Sequence, residues 1–427
     1  MVSNPVNSFL NFLLGALGII GRFFGEFWWL IVPLALIPIY KELRAAYEKK
    51  KKSDALEWVN LVILPSRDIF KTPRAMEEIF SAVHAAPAKE PVPDWFSFEL
   101  VGYGGQMYFY VRVLKKYADY IKALFYSQYP TSNIEVIKDY FDSWPPIVPN
   151  NNYDFWGAEY VLKNDSAYPL ITYPDFEDPK EEKRLDPLSS VAEMMGKLKE
   201  KELLTLQIII KSSDDKWKEG GLKIINKAMG RPEATKPLGF VAGLMEFFEN
   251  LFLGAFRAPT WSEEKKGEPK NIQLSAVERE VADKIGEKIA KLGFNGGIRA
   301  CYIAPKEIFS KNTKFVVESY LKQFSTQNLN SFDTNKEINI SLKGLFHSDG
   351  FSLKDRSWFA ERRNLMRKRN LMQNGKKRSM LKKGSVFDVE ELATMFHMPI
   401  NAVQAPSMGR LVSNTGKPPI NLPIISD

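Results

Sequence analysis

With 44% apolar and 13% aromatic side chains, a chain of 427 residues has enough large hydrophobic groups to build packed cores, which excludes a disordered polypeptide and favours two folded domains. One cysteine, Cys301, excludes an internal disulfide framework or a cysteine-rich metal cluster, and three dispersed histidines, His84, His347 and His397, argue against a histidine metal site. The formal charge of +8 is unevenly placed: Lys41–Lys52 holds six basic residues against two acidic, Leu353–Gly384 holds twelve against two, and the remainder stands at −6 (8 less 14). A mildly acidic body with two basic patches points to two anionic contacts.

From Phe9 to Tyr40 the chain is apolar except for Asn11, Arg22 and Glu26. As one helix these 32 residues would reach about 48 Å, well past the roughly 30 Å hydrocarbon core of a bilayer, and would bury Arg22 and Glu26 near its centre. The segment therefore divides, giving an interfacial helix over 8–21 and a transmembrane helix over about 23–40, within a membrane anchor of residues 1–41. Trp28 and Trp29 suit one interface and Tyr40 with Lys41 the other, while Pro33 is better tolerated in lipid than in a soluble helix. A cleavable signal peptide lacks its basic n-region here. The basic linker 42–57 follows, and Lys49, Lys50, Lys51 and Lys52 would meet anionic headgroups. The positive-inside bias then places the protein in the cytoplasmic (inner) membrane with its body in the cytoplasm.

Within 58–144, Trp58–Leu64 reads as a strand and a helix opens with Thr72 as N-cap and Pro73 at its first position. Strands at Trp95–Val101 and Gln106–Val113 flank the turn Gly102–Gly105, a helix covers Lys116–Tyr129 and a fourth strand covers Ile134–Ile137. This β-α-β-β-α-β succession is that of a ferredoxin-like module. Pro145–Asn152 reads as a linker. A second α+β module spans 153–345, with strands at Trp156–Leu162, Leu170–Tyr173, Leu204–Lys211 and Gly297–Ile303, and helices at Leu188–Lys199, Ser275–Leu292 and Phe309–Phe324. Gly293 is expected as a helix C-cap, and a helical insertion fills about 215–271. The fold class is thus α+β: a transmembrane helix, two ferredoxin-like modules echoing one another as a duplication, and a basic helix with a Pro-rich tail over 346–427. In that last part Val389–Phe396 forms a helix capped by Asp388.

The motifs of catalysis are missing. Thr415-Gly416-Lys417 resembles a phosphate loop, but Pro418 stands where Ser or Thr is required and Leu411 where the leading glycine should be. Gly102-x-Gly104-Gly105 joins two strands and opens no helix. The pairs Asp214-Asp215 and Glu263-Glu264 read as solvated carboxylates. No cofactor, small-molecule substrate or enzymatic activity is therefore expected. One stretch has a sharper reading: Arg356, Trp358, Arg362, Arg363, Arg367, Lys368, Arg369, Lys376, Lys377 and Arg378 interleave cations with an aromatic on one helix. Phosphate backbone, an anionic leaflet, an acidic partner protein or plain solvation would each suit them.

Taken together, Leu64-Pro-Ser-Arg67, Lys71-Thr-Pro-Arg-Ala-Met-Glu77, Trp95-Phe-Ser-Phe-Glu-Leu100, Leu206-Gln-Ile-Ile-Ile210, Lys291-Leu-Gly-Phe-Asn-Gly-Gly-Ile-Arg299, Lys322-Gln-Phe-Ser-Thr-Gln-Asn-Leu-Asn330 and Asp388-Val-Glu-Glu-Leu-Ala-Thr-Met-Phe-His-Met-Pro399 carry a likeness. The chain resembles uncharacterised membrane-anchored proteins of ultra-small, candidate-phylum bacteria, whose body is a domain of unknown function. In relatives this region often precedes a type IV secretion or conjugation ATPase domain. The resemblance implies a non-catalytic accessory or scaffold protein beside a translocation motor. Because the chain ends at Asp427, about where fused relatives begin their ATPase, that motor is expected as a separate chain. The alternative expectation is a membrane-tethered nucleic-acid-binding module using 354–383.

Overall fold

In the computed structural model, the described residues are 55–65, 71–86, 95–176, 186–229, 275–335 and 353–399, together with 14–15, 18, 25–26, 36–45, 47–48 and 51. Two compact units divide the chain, Met1–Glu57 and Trp58–Asp427. In the first, residues 36–45 are helical, and Leu36, Ile37, Ile39, Tyr40 and Leu43 are all exposed. Among the described residues no helix is long and apolar enough to cross a membrane. Of the expected interfacial helix only 14, 15 and 18 are described, and of the expected span only 25, 26 and 36–40; the rest of both lies outside the described residues.

The second unit is built on one antiparallel sheet. Its first half runs β1 (Trp58–Leu64), α1 (Arg74–His84), β2 (Phe96–Tyr103), β3 (Gln106–Leu114), α2 (Ala118–Gln128) and β4 (Asn133–Ile137). In α1 the residues Ala75, Met76, Ile79, Phe80 and Val83 are buried, the stripe that a 3.6-residue period places on one face. The β2–β3 hairpin turns through Gly104 and Gly105 at φ +59° and +75°, the left-handed pair that a tight two-residue turn requires. The second half follows with β5 (Tyr153–Leu162), α3 (Leu188–Met195), β6 (Leu203–Ser212), α4 (Lys216–Ala228), α5 (Ala276–Ile289), β7 (Gly293–Pro305), α6 (Thr313–Lys322) and β8 (Phe332–Thr334).

The strands lie in the order β4-β1-β3-β2-β6-β7-β5-β8. Within each half the spatial order is fourth, first, third, second, and the halves meet back to back through β2 and β6, from Phe96↔Ile210 to Tyr103↔Leu203. Where the first half has a two-residue turn between its second and third strands, the second half carries α4, α5 and the residues between them. Three further elements complete the unit: α7 (Leu353–Lys377), β9 (Ser385–Asp388) and α8 (Val389–Met395). β9 pairs with Gly293–Gly296 of β7, the part of that strand's edge left open by β5.

Strand pleating sends alternate residues to opposite faces, so each central strand serves two interiors. Phe98, Leu100, Phe109, Val111, Leu206, Ile208 and Ala300 join the larger core with side chains of α1, α2, α3, α6 and α8. The alternate positions Val101, Leu203, Cys301, Ile303 and Phe155 form a smaller core with Phe141, Trp144, Val148, Leu371 and Met372.

Several expectations are corrected. Leu170–Tyr173 is not a strand: Ile171 N–H donates to Phe324 O, a short helical turn occupies Tyr173–Phe176, and β5 is already flanked by β7 and β8. Gly293 does not cap a helix; α5 stops at Ala290 and Gly293 begins β7, where the Trp217 ring leaves no room for a Cβ. Thr72 makes no side-chain cap, since Pro73 occupies the N-cap position of α1. The expected linker Pro145–Asn152 is partly core, with Val148 buried beneath α7 residues of the smaller cluster. A Cβ built on Gly375 would lie 2.6 Å from Cys301 Sγ, because α7 approaches β7 there at backbone distance. Gly375→Ala is expected to destabilise the second unit by about 1–3 kcal/mol through overpacking, read as a lower midpoint in equilibrium urea unfolding.

Candidate functional site

Polar residues interrupt each central strand at one level: Glu99 in FSFELVGY, Gln207 in LLTLQIIIKS, Arg299 in GGIRACYIA and Glu159 in YDFWGAEYVL. The register brings these into a single row, Tyr110↔Glu99↔Gln207↔Arg299↔Glu159, on the smaller-core face of the sheet. All but Tyr110 are buried.

Onto this row comes the C-terminal end of α7. The last carbonyls of a helix have no partner within it and carry its negative pole. Here the sheet supplies donors to three in succession. Asn374 O accepts from Arg299 Nη1 at 3.0 Å, Gly375 O from Gln207 Nε2 at 3.0 Å, and Lys376 O from Arg112 Nη1 at 2.9 Å. Arg299 also holds Glu159, at 2.9 and 2.7 Å from Nε and Nη2, and reaches Ser379 O at 2.8 Å.

Arg378, just past the helix, has φ +48°, a left-handed conformation that folds its side chain back under the last turn. Its guanidinium bonds Glu99 from Nε at 2.9 Å and Asp139 from Nη2 at 3.0 Å, with a second contact from Nη1 to Asp139, and lies against the Tyr140 and Phe141 rings at 4.7 and 4.9 Å. Tyr140 Oη and Ser97 Oγ both donate to Glu99. Burial pushes the Asp139 carboxyl up, but the Arg378 charge and hydrogen bond, with Phe141 N–H and Arg112, outweigh it and hold the group below the ordinary carboxylate range. Arg112 is pulled below its usual value, by burial first and by the neighbouring Arg378 charge second. The Cys301 thiol beside this layer is pushed up to about 12 by burial, so it stays protonated and is a poor nucleophile.

A second ionic cluster anchors α8. Lys288 and Glu391, both fully buried, pair at 2.8 Å, and Glu391 also accepts from Leu170 N–H. Asp388 caps the helix by accepting Glu391 N–H at 2.8 Å, and Glu391 returns the bond to Asp388 N–H. Lys291 pairs with Glu390. Burial, then the Glu391 charge, push the Asp388 carboxyl up to about 7 against the pull of Lys288 and Lys291. A cleft of about 340 Å³ adjoins the cluster, between α5, the turn at Tyr173–Phe176 and α8. Among the described residues no three His, Cys, Asp or Glu side chains converge as metal ligands.

The residues singled out in the basic stretch thus fall into separate groups. Arg378 is buried and cannot touch a surface ligand, because its charge is consumed by Glu99 and Asp139. Lys368 pairs with Asp154 at 2.6 Å and Lys376 with Asp142 at 3.2 Å. Arg363 and Arg367 are half-buried, and Arg367 donates to Asn364. Arg362, Arg369 and Lys377 are exposed. The side chains of Arg356 and Trp358 lie outside the described residues, as do Trp28, Trp29, Pro33, Lys49, Lys50 and Lys52; Tyr40, Lys41 and Lys51 are exposed. The buried partners Glu99, Glu159, Arg299 and Lys288 carried no spacing signal in the sequence, although an isolated charge inside an apolar strand was a visible clue for the first three. No protein-family model matches the chain, and no curated protein matches it.

Arg378→Met should cost about 3–5 kcal/mol, the usual penalty for stranding a buried charge, and Glu99→Leu added to it should recover part of the loss; chemical denaturation of single and double variants measures both. For Asp388 the folded value lies above the unfolded value of about 4, so the native state binds the extra proton between about pH 4 and pH 7. Its contribution to stability is full below that window and lost as pH rises through it. Asp388→Asn keeps a capping side chain but cannot titrate, so the stability of the parent relative to this variant should fall from about pH 4 to about pH 7 and then level off.

Proposed function

We propose that the protein is a membrane-anchored, non-catalytic accessory or scaffold on the cytoplasmic face, working beside a type IV secretion or conjugation-like translocation motor carried by another chain. The observation that carries this reading is the exposed apolar helix at 36–45: Leu36, Ile37, Ile39, Tyr40 and Leu43 face outward beside Lys41 and Arg44. A contiguous apolar surface of that kind calls for cover, and adjoining cations suit anionic headgroups. Together with the apolar run from Phe9, it supports a transmembrane helix over about 23–40. In this reading the body is a duplicated ferredoxin-like module, supported by the repeated strand order, and its buried charges act as fasteners between sheet and helix. The motor partnership rests on the family resemblance.

A second reading, a nucleic-acid-binding module, is favoured by the outward Arg362, Arg369 and Lys377. It assigns the contact to the outer face of α7, away from Arg378.

Membrane fractionation with carbonate extraction tests the anchor. The full chain should remain in the pellet, and its release into the supernatant would sink the reading. Detergent co-purification should then recover a translocation ATPase. Filter binding of single-stranded DNA across a salt series separates the two readings: a steep salt dependence, flattened in R362Q/R369Q, would favour the second.

A further inference from the structure

Beside the edge strand β4 a cleft of about 500 Å³ opens between the start of β1, the segment after β4 and the end of α7, lined among others by Trp58, Asn60, Arg112, Lys138, Lys376 and Lys377. Its volume falls in the range of small-ligand sites. Two polar atoms in its wall have no partner among the described residues. Asn60 is only 8% exposed, yet its Oδ1 meets no hydrogen-bond partner there. Arg112 spends Nη1 on Asp139 and Lys376 O, while its buried Nε–H meets no acceptor among the described residues. An orphaned buried polar group costs free energy that a ligand can return.

The surroundings say which ligand. Asp139 is already neutralised by Arg378 and Asp142 is engaged by Lys376, so Lys138 and Lys377, both exposed, leave the cleft with an excess of positive charge. The Arg112 charge is itself opposed by burial and by Arg378, so an incoming anion would stabilise it. The arginine donor and the Asn60 amide, which can rotate to present Nδ2–H, ask for a compact group rich in oxygen lone pairs. Beside them are flat and apolar walls: the Trp58 ring, 5.5 Å beneath the Arg112 guanidinium and 4.8 Å from the Trp95 ring, with Ile137 and the exposed Val136.

We propose that this cleft binds a phosphate ester, with Arg112 and Asn60 donating to the phosphate oxygens, Lys138 and Lys377 supplying charge, and Trp58 covering the ester's carbon portion. Two sources share this chemistry, a phospholipid headgroup and a soluble phosphate ester. Trp58 is the first residue of the body after Met1–Glu57, and only the headgroup source rests on the anchoring reading.

The full chain in neutral detergent is titrated calorimetrically with inorganic phosphate, glycerol 3-phosphate and dihexanoyl phosphatidylglycerol, at ionic strength held constant with chloride. Saturable binding is expected. Binding of the lipid alone assigns the headgroup source, and binding of the soluble anions assigns the other. The double variant K138Q/K377Q alters only exposed side chains and should weaken affinity about tenfold or more, and Asn60→Asp, which sets a carboxylate against the anion, should abolish binding. The proposal is overturned if none of the three probes saturates, or if K138Q/K377Q binds within about twofold of the parent. The same titration applies whether or not the chain is extracted from membranes, so failure of the anchor and failure of the site are separately visible.

Discussion

The structure of the second unit depends on one contact, the C-terminal end of α7 set down on a row of charged strand residues. Three successive carbonyls that the helix cannot satisfy are taken by Arg299, Gln207 and Arg112, and Arg378 folds back to join the helix end to Glu99 and Asp139. The negative pole of a 25-residue helix is thereby met by guanidinium groups in a buried setting, where such interactions are least screened. With α7 and the side chains of Phe141, Trp144 and Val148 laid over this face, the sheet has a second interior.

The repeated strand order explains why the cradle is bilateral. Arg112 stands on the third strand of the first half and Arg299 on the third strand of the second, and the two reach carbonyls two residues apart on the same helix. Gln207, on the second half's strand at the central β2–β6 junction, takes the carbonyl between them. One helix end thus staples the two halves together across their junction. Gly375 is the residue that permits it, since any side chain there would strike Cys301.

This arrangement changes how the basic stretch is understood. A run of twelve cations in 32 residues looks like a single anion-binding surface. In the folded chain three of these cations are structural: Arg378 is interior, and Lys376 and Lys368 each close an ion pair with the body. Among the described residues of α7, Arg362 and Arg369 are exposed, and Lys377 lies beside the cleft at Trp58. Burial of Asp388 against Glu391 shows the same economy around α8, where carboxylates and lysines hold a helix start.

Local patterns announced much of this fold. Apolar runs marked β1 and β6, alternation marked β2 and β3, the glycines of Gly102–Gly105 marked the tight turn between β2 and β3, and Asp388 marked a helix start, because each of these signals is a property of a few neighbouring residues. The succession of elements even pointed to two like halves. What stayed hidden was pairing at long range. That β2 would lie against β6, that β9 would occupy the free stretch of β7, and that Arg378 would meet Glu99 across 279 positions are not written in any local spacing. Charge type and order along the chain come from the residues themselves, whereas burial, and with it whether a cation is a surface contact or an internal bolt, is decided only when distant strands close over it.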